Sequence, residues 1–225
     1  MVVSLRFPVE MKIAVIGASG WLGGAVAREA VARGHDVTAI GRDESKLRGV
    51  DGARVAVADV GDPGSLQRAI AGSDAVVSAV TDRSTGDRSI IPRTVRTLLD
   101  VLPASGVKRL AIVGGGGSLE VAPGVRAIDE PGFPKQYRAE ALAQAEALEI
   151  LRAENTALAW TYLSPPPHHL APGDKTGRYR AAGGDTPVTD ASGESRITSG
   201  DLAAALVDEL EQPRFTGQRF TAATA

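Results

Sequence analysis

Apolar and polar residues follow two different periods along this chain. Short runs of consecutive apolar residues, such as Ile13–Ile16 and Leu110–Val113, are typical of strands buried on both faces of a parallel sheet. Between such runs, apolar residues recur every three or four positions, as on one face of a helix. Ile91, Val95 and Leu98 belong to one such series, which ends before Pro103.

The order of these segments predicts the fold. Predicted strands cover residues 13–16, 36–40, 54–58, 74–80, 109–113, 158–163 and 218–221, with short strands at 178–180 and 195–197. Predicted helices cover residues 21–33, 91–102, 137–154 and 201–211, and Thr198 is typical of the cap that precedes the last of them. Strands that alternate with helices over short connections predict a Rossmann-like α/β fold, a doubly wound parallel sheet between two helical layers.

The length of 225 residues fits a single domain of this kind, and nothing in the pattern indicates a repeat or a second core. Met11 and Lys12 directly precede the first predicted strand and look like an alternative start. We therefore expect residues 1–10 to be a disordered leader and residues 11–225 to form the domain. The Gly- and Pro-rich stretch after the sixth strand is expected to supply elements on the substrate side, near the C-terminus.

Charge and residue usage exclude several classes of function. The formal net charge is −2, which argues against nucleic acid as the main partner. No cysteine is present, which excludes disulfides, thiolate catalysis and cysteine-ligated zinc. No apolar run approaches the ~20 residues of a membrane span, and residues 1–10 are too short and too weakly apolar for a secretory signal. We expect a cytoplasmic protein.

Three glycines, Gly17, Gly20 and Gly23, follow the first predicted strand and open a helix. A helix N-terminus carries unpaired N–H groups and a partial positive charge, so it holds phosphate without a basic side chain. In such a turn the first glycine lets the backbone bend, the second lets it approach a pyrophosphate, and the third lets helix and strand pack closely. The spacing departs from G-x-G-x-x-G, and a glycine-rich turn without a ligand is the alternative. The predicted dinucleotide-binding residues here are Gly17, Ala18, Ser19, Gly20, Trp21, Leu22 and Gly23.

The end of the second predicted strand indicates which dinucleotide binds. Where NAD-binding proteins usually place Asp or Glu on the ribose 2′-hydroxyl, this chain has Arg42, with Lys46 one turn later. An arginine suits a 2′-phosphate, through charge-assisted hydrogen bonds and stacking on adenine. We therefore expect NADP(H) rather than NAD(H), a solvated surface arginine being the alternative. The residues expected at the adenine and ribose are Asp59, Val60, Ala79 and Val80.

A glycine run, Gly114–Gly117, follows the fifth predicted strand. Composition alone would predict a flexible linker between two domains. However, open α/β sheets bind ligands at the carboxyl ends of their central strands, which favours a place for Gly114 at the cofactor. The loop after the sixth strand is expected to pass the nicotinamide end, and this adds Pro165 to the cofactor-binding set.

These segments resemble one family, the atypical short-chain dehydrogenases of the NAD(P)H-binding, NmrA-like kind. That family includes bacterial proteins labelled NADH-flavin reductases and the flavin (biliverdin-IXβ) reductases. The similar segments are residues 11–23, 41–47, 59–60, 106–110, 113–124, 163–165 and 176–179. The resemblance implies a Rossmann fold and a nicotinamide cofactor, with FMN or FAD as a substrate rather than a prosthetic group. It is much less specific for the substrate than for the fold.

Candidate catalytic residues follow the fifth and sixth predicted strands. Ordinary short-chain dehydrogenases use a Tyr-x-x-x-Lys pair, in which the lysine lowers the phenol pKa and the phenol passes the proton. This chain has Tyr137 but Ala141 in place of the lysine, so Tyr137 is expected to be a pocket wall. Ser118 is a further candidate, for a hydrogen bond to a substrate carbonyl. His168 is another, in a Pro-Pro-His run similar to that of the flavin reductases; an exposed loop is the alternative for it and for His169.

No metal site is expected, because adjacent histidines diverge and no cysteine or nearby histidine completes a ligand set. Gly173–Thr176 is similar to part of a phosphate loop but lacks the preceding strand and the full spacing.

Two functions are compatible with the predicted cofactor site. One is an NADPH-dependent reductase that passes hydride directly to a flavin- or quinone-like acceptor; the other is a non-catalytic NADP(H) sensor, as the nitrogen-repression regulators of this superfamily are.

Overall fold

The chain folds around one long sheet. The computed structural model describes residues 10–81 and 86–225. Its strands are β1 (Lys12–Ile16), β2 (Asp36–Gly41), β3 (Arg54–Val57), β4 (Ala75–Ser78), β5 (Arg109–Val113), β6 (Glu120–Ala122), β7 (Val125–Arg126), β8 (Ala159–Ser164), β9 (Leu170–Ala171), β10 (Tyr179–Gly183), β11 (Ile197–Thr198) and β12 (Gln218–Thr224). Its α-helices are α1 (Trp21–Ala32), α2 (Glu44–Leu47), α3 (Pro63–Ile70), α4 (Ile90–Ala104), α5 (Lys135–Ala153) and α6 (Ser199–Glu211).

Eight strands form the main sheet in the order β10-β12-β8-β5-β4-β1-β2-β3. Neighbouring strands are parallel except for β10, which runs antiparallel to β12 at one edge. The chain winds outward from β1 in one direction through β2 and β3, and in the other through β4, β5 and β8. The order therefore reverses between β1 and β4, the kind of switch point where open α/β sheets bind ligands. The predicted doubly wound, Rossmann-like fold is confirmed.

Helices cover both faces of this sheet. Alternate residues of β1 face opposite layers: Ile13 and Val15 pack in one core cluster with α1 and α6, whereas Ala14 and Ile16 pack in the other with α3, α4 and α5. A strand buried on both faces has to be apolar at every position, which explains the continuous apolar runs of the sequence. The helices α1 and α5 consequently lie in different layers, on opposite sides of the sheet.

The amino end of the sheet is closed by a buried ion pair. Arg109, the first residue of β5, places its Nη2 2.7 Å from Oε1 of Glu209 on α6. The two oxygens of Glu209 also accept hydrogen bonds from the backbone N–H groups of Arg214 and Phe215, at 2.8 and 3.0 Å. Burial lowers the pKa of Arg109, and the facing carboxylate opposes that shift. This end of the sheet is thus occupied by structural contacts, while the carboxyl end remains accessible.

Several element bounds differ from those predicted. The fourth strand is shorter, at Ala75–Ser78, and the last is longer, because β12 pairs with the antiparallel edge strand β10. The short elements α2, α3, β6, β7 and β9 were not predicted. For α3 a local signal was available: Asp62 caps the helix, its Oδ1 accepting from the N–H of Gly64 at 3.1 Å, directly before Pro63.

The leader expected at residues 1–10 falls, apart from Glu10, outside the described residues. Within the described ranges, no helix is both long and apolar enough to cross a bilayer.

Candidate active site

A cleft of about 590 Å³ opens at the carboxyl end of the sheet. Its lining comes from the start of α1, the ends of β4, β5 and β8, and the first turns of α5. Among the predicted cofactor residues, the structure brings Gly20–Gly23, Ala79, Val80, Gly114 and Pro165 together along this one cleft. These residues come from four separate parts of the chain, and they meet because parallel strands end on the same side.

The turn between β1 and α1 is built on the backbone of Gly17. This residue has φ +83°, and a Cβ there would lie 2.6 Å from the carbonyl oxygen of Ala79. A Cβ on Gly23 would lie 2.2 Å from the carbonyl oxygen of Gly17, so the helix can approach the turn only with glycine at that position. A Cβ on Gly20 would have a single neighbour, the Gly17 oxygen at 3.2 Å. The bend and the close packing predicted for Gly17 and Gly23 are confirmed, and Gly20 faces the open side.

The first turn of α1 supplies hydrogen-bond donors to the cleft. Gly20 is the N-cap, and the first helical bond runs from the N–H of Gly24 to the carbonyl of Gly20, at 2.8 Å. The N–H groups of Trp21, Leu22 and Gly23 therefore precede the helical ladder and have no acceptor within it. Donors of this kind, in front of an exposed glycine, fit a pyrophosphate. The other two predicted residues of the turn are Ala18, which is buried, and Ser19, which is exposed.

The predicted adenine-side residues lie beyond the cleft, along the next two strands. Arg42 follows β2 and Asp59 follows β3; both are exposed, and neither lines the cleft. The ends of the two strands are joined by a hydrogen bond from the N–H of Ala58 to the carbonyl of Gly41, at 3.0 Å. Lys46 is exposed on α2, and Val60 is partly buried against the core. The structure thus sets these four residues on the same carboxyl edge as the glycine turn, and their role in binding a cofactor stays a prediction.

Asp43 stands between the two basic residues of this edge. Its Oδ1 accepts from the N–H and from Oγ of Ser45, at 3.0 and 2.6 Å, which caps α2. These hydrogen bonds lower the pKa of the Asp43 carboxyl. The other oxygen, Oδ2, lies 3.6 Å from Nζ of Lys46. The carboxylate nearest to Arg42 in sequence is therefore committed to the local helix.

The glycine run after β5 forms the floor of the cleft, and it is tightly packed. A Cβ on Gly114 would lie 2.0 Å from the ring of Tyr162, one on Gly116 2.3 Å from the carbonyl oxygen of Pro165, and one on Gly117 2.6 Å from Cβ of Ala141. Such distances are far below van der Waals contact, so no larger residue fits without moving the backbone. The segment is a packed floor beneath the cleft and not a linker between domains.

Polar side chains hold this floor from behind. The hydroxyl of Tyr162 donates to Gln144, whose backbone oxygen lies 2.8 Å away, and Oγ of Ser164 donates to the carbonyl of Gly115 at 2.9 Å. The Tyr162 hydroxyl is fully buried, and this burial raises its pKa. Gln144 and Phe133 line the cleft itself, and the sequence analysis missed both. Nothing local marks them, because their place depends on how α5 packs against β5 and β8.

The structure separates the three catalytic candidates. Tyr137 lines the cleft and is half exposed, and Ala141 beside it packs against Gly117. Ser118 does not line the cleft: its hydroxyl bonds to the guanidinium of Arg219, which is buried on β12, and its carbonyl accepts from Nη1 of the same arginine at 3.2 Å. The place expected for Ser118, facing a substrate carbonyl, is therefore wrong. The cause is a partner 101 residues away that the local sequence does not reveal.

His168 lies at the mouth of the cleft, and His169 is outside its lining. The Nε2 atom of His168 is 3.0 Å from Oε2 of Glu130, which joins the loop after β8 to the segment before α5. A second carboxylate at the cleft, Glu140, lies 3.9 Å from Nε of Arg88. His168 and Glu140, which both line the cleft, therefore each lie beside an ionisable side chain. The sequence analysis missed Glu130 and Glu140.

The segment similar to a phosphate loop has a structural role. The backbone N–H groups of Thr176 and Gly177 both donate to Oδ1 of Asp201, at 2.8 Å, and the N–H of Gly200 donates to the carbonyl of Gly173. Asp201 is fully buried, and its own N–H donates to the capping hydroxyl of Thr198. The segment is thus anchored on the start of α6. In the part of the chain that the structure describes, no three His, Asp or Glu side chains are grouped to hold a metal ion.

Comparison with known proteins agrees with this geometry. A family model described as NAD(P)H-binding matches residues 17–213. The chain belongs to this NAD(P)H-binding family. It is 38% identical over 213 residues to the uncharacterized protein YwnB of Bacillus subtilis (strain 168), covering 94% of this chain and 97% of that one.

Two solved structures are also similar over nearly the whole chain. A protein from Streptococcus pneumoniae TIGR4, described as "a putative NADH-flavin reductase", superposes with a TM-score of 0.85 at 34% identity, covering 96% of this chain and 100% of that one. A "putative exported protein" from Burkholderia pseudomallei gives a TM-score of 0.84 at 41% identity, covering 95% and 99%. Together with the family match, these similarities make the chain an NAD(P)H-binding protein of the Rossmann class.

The two glycines of the turn are expected to respond differently to substitution. In Gly20→Val the side chain enters the space in front of the α1 donors, so the Kd for NADPH rises more than about a hundredfold while the protein stays folded. In Gly23→Ala the new Cβ meets the Gly17 carbonyl, so the free energy of unfolding falls by about 1–3 kcal/mol or more. Titration of NADPH fluorescence and urea unfolding measure the two effects.

A matched control is Gly49→Val, because a Cβ on Gly49 meets nothing within 4 Å and its φ is not positive. This variant keeps both wild-type affinity and wild-type stability. Unchanged NADPH affinity in a folded Gly20→Val protein would contradict the assignment of the turn as the pyrophosphate site.

Proposed function

We propose that this protein is an NADPH-dependent reductase of a planar acceptor such as a flavin or a quinone. The proposal rests on one observation: the N–H donors at the start of α1 and the packed glycine floor line the same cleft. The donors suit the cofactor's pyrophosphate, and the floor admits a flat ring close to the ends of β4 and β5. We further propose that the protein is cytoplasmic and that its partner is the small-molecule acceptor.

When bound, NADPH supplies a hydride from the nicotinamide C4, which with one proton from water converts the oxidised acceptor to its dihydro form and leaves NADP⁺. The chain's own contribution is position. The first turn of α1 orients the cofactor, Val80 and Pro165 border the site, and the glycine floor lies beside it. Holding two reactants in alignment accelerates a reaction without any acid or base.

The side chains around the cleft agree with chemistry of this kind. Ala141 stands where a lysine would activate Tyr137, and the Ser118 hydroxyl is bonded to Arg219. The same observations also favour the second candidate, a non-catalytic NADP(H) sensor, because a sensor needs the cofactor site and no catalytic group. The two functions share the glycine turn, so cofactor binding alone does not distinguish them.

Steady-state oxidation of NADPH, followed at 340 nm with riboflavin, FMN, FAD and menadione, distinguishes the two functions. The reductase oxidises NADPH with at least one of these acceptors, and boiled protein or protein with Gly20→Val does not. Tight NADPH binding with no turnover by any acceptor would contradict the reductase and support the sensor.

The preference for NADPH rests on Arg42. It is exposed at the carboxyl end of β2, on the edge where the glycine turn opens, and the neighbouring Asp43 is committed to capping α2. A carboxylate so engaged is poorly placed to accept from a ribose 2′-hydroxyl, whereas a guanidinium beside it suits a 2′-phosphate. Lys46 on the next turn adds a second positive charge to the same edge.

Replacing Arg42 is expected to affect the two dinucleotides unequally. Loss of a charge-assisted hydrogen bond costs about 1.5–3 kcal/mol, so Arg42→Ala raises the Kd for NADPH about ten- to a hundredfold and leaves the Kd for NADH nearly unchanged. Raised salt weakens NADPH binding more than NADH binding, because screening acts on the additional charges. Isothermal titration with both dinucleotides provides the measurement.

The control for this experiment is Arg48→Ala, an exposed arginine just after α2 that bonds to Glu44 at 2.8 Å. This variant removes the same charge from the same surface and keeps the NADPH preference. Equal losses for both dinucleotides in Arg42→Ala, or a wild-type protein that prefers NADH, would overturn the assignment.

A further inference from the structure

The aromatic side chains of this protein are unevenly distributed. Five of those in the described residues pack in or against the core at β8, β10 and β12; they are Trp160, Tyr162, Tyr179, Phe215 and Phe220. The other three described aromatic residues, Trp21, Phe133 and Tyr137, all line the one cleft. In a chain with only 4% aromatic residues, this concentration at a ligand-sized opening calls for a physical reason.

Two of these three rings are unusually exposed. Trp21 is 42% and Tyr137 51% accessible to solvent, although large apolar rings gain free energy when they are covered. Exposed aromatic residues that border a concave site are typical of surfaces that a ligand covers. The exposure of both rings at the same opening therefore indicates a ligand that stacks on them.

The two rings approach the cleft from opposite layers. Trp21 is the first residue of α1, which packs in one core cluster, and Tyr137 lies in the first turns of α5, which packs in the other. Between them run the ends of the central strands and the glycine floor, where no Cβ can be added at Gly114, Gly116 or Gly117. A floor of backbone bordered by two exposed aromatic rings suits a planar ring system.

Two polar side chains that line the same cleft, His168 and Glu140, are paired within the protein. His168 Nε2 lies 3.0 Å from Glu130, and Glu140 lies 3.9 Å from Arg88. A carboxylate at the opening opposes an anionic tail on the ligand, and the two apolar rings attract a neutral ring. Affinity should therefore come from the ring system of the acceptor and not from a phosphate attached to it.

We propose that Trp21 and Tyr137 are the two walls of an acceptor subsite that binds uncharged planar ring systems by stacking. The inference rests on the proposed reductase function and deepens it by naming what the acceptor site recognises. It makes FMN no better an acceptor than riboflavin, because they share one ring system and differ in a phosphate that these walls do not hold.

Binding is tested first without turnover, using riboflavin and NADP⁺-loaded protein. The chain has two tryptophans, and Trp160, at the amino end of β8, is only 7% exposed in the core. Riboflavin is expected to quench the tryptophan fluorescence of the wild type saturably. In Trp21→Phe, which leaves only Trp160 at the far end of β8, the quenching is expected to be much weaker.

Steady-state kinetics then separate stacking from catalysis. Trp21→Leu and Tyr137→Ala are each expected to raise the KM for riboflavin about tenfold and to change kcat much less. Tyr137→Phe restores the KM, because the ring and not the hydroxyl carries the contact. The control is Leu142→Ala on the same helix, an exposed apolar residue that does not line the cleft, and it leaves the KM unchanged.

The possible results separate this inference from the function on which it rests. Quenching at Trp21 without turnover of any acceptor would contradict the reductase and leave the aromatic subsite intact. Turnover with an unchanged riboflavin KM in both Trp21→Leu and Tyr137→Ala would overturn the subsite alone. A kcat/KM for FMN more than about tenfold above that for riboflavin would show that the phosphate is recognised, and would also overturn it.

Discussion

The architecture of the cleft depends on one residue, Gly17. Its N–H donates to the carbonyl of Ile40 on β2 at 2.9 Å, and its carbonyl accepts from the N–H of Gly20 at the same distance. Gly23 can pack against that carbonyl only because it has no side chain. The positive φ of Gly17 turns the chain from the end of β1 toward the start of α1. Through these contacts the end of β1, the neighbouring strand and the first turn of α1 are fixed in one arrangement, with the helix donors facing the cleft.

Close packing also restricts the floor of the cleft to glycine. Gly114, Gly116 and Gly117 lie so close to Tyr162, Pro165 and Ala141 that backbone alone can form the floor. The polar side chains of this region are used to hold that floor: Ser164 bonds to Gly115, and Ser118 to Arg219. The cleft is consequently shaped by backbone and apolar rings, with few groups available for proton transfer. A site of this composition is suited to orienting two flat reactants, and this is the basis of the proposed direct hydride transfer.

Much of this arrangement was predictable because its signals are local. The run Ile13–Ile16 followed by Gly17, Gly20 and Gly23 predicts strand, turn and helix from adjacent residues, and alternation along the chain predicts the parallel sheet. The pairing of Ser118 with Arg219 was not predictable, because it joins residues 101 positions apart through the packing of β12. The same holds for His168 with Glu130, 38 positions apart. Their geometry is a property of the tertiary fold, whereas propensity and spacing report only on neighbours in sequence.

Anaerobic single-turnover kinetics can test whether this cleft brings nicotinamide and acceptor together for direct hydride transfer. NADPH deuterated at one or the other C4 position is mixed with the protein and an acceptor, and loss of absorbance at 340 nm is followed. Only one of the two labelled forms is expected to be oxidised more slowly than unlabelled NADPH, because a fixed cleft exposes one face of the ring to the acceptor. Absence of oxidation with every acceptor, or equal slowing by both labelled forms, would contradict it.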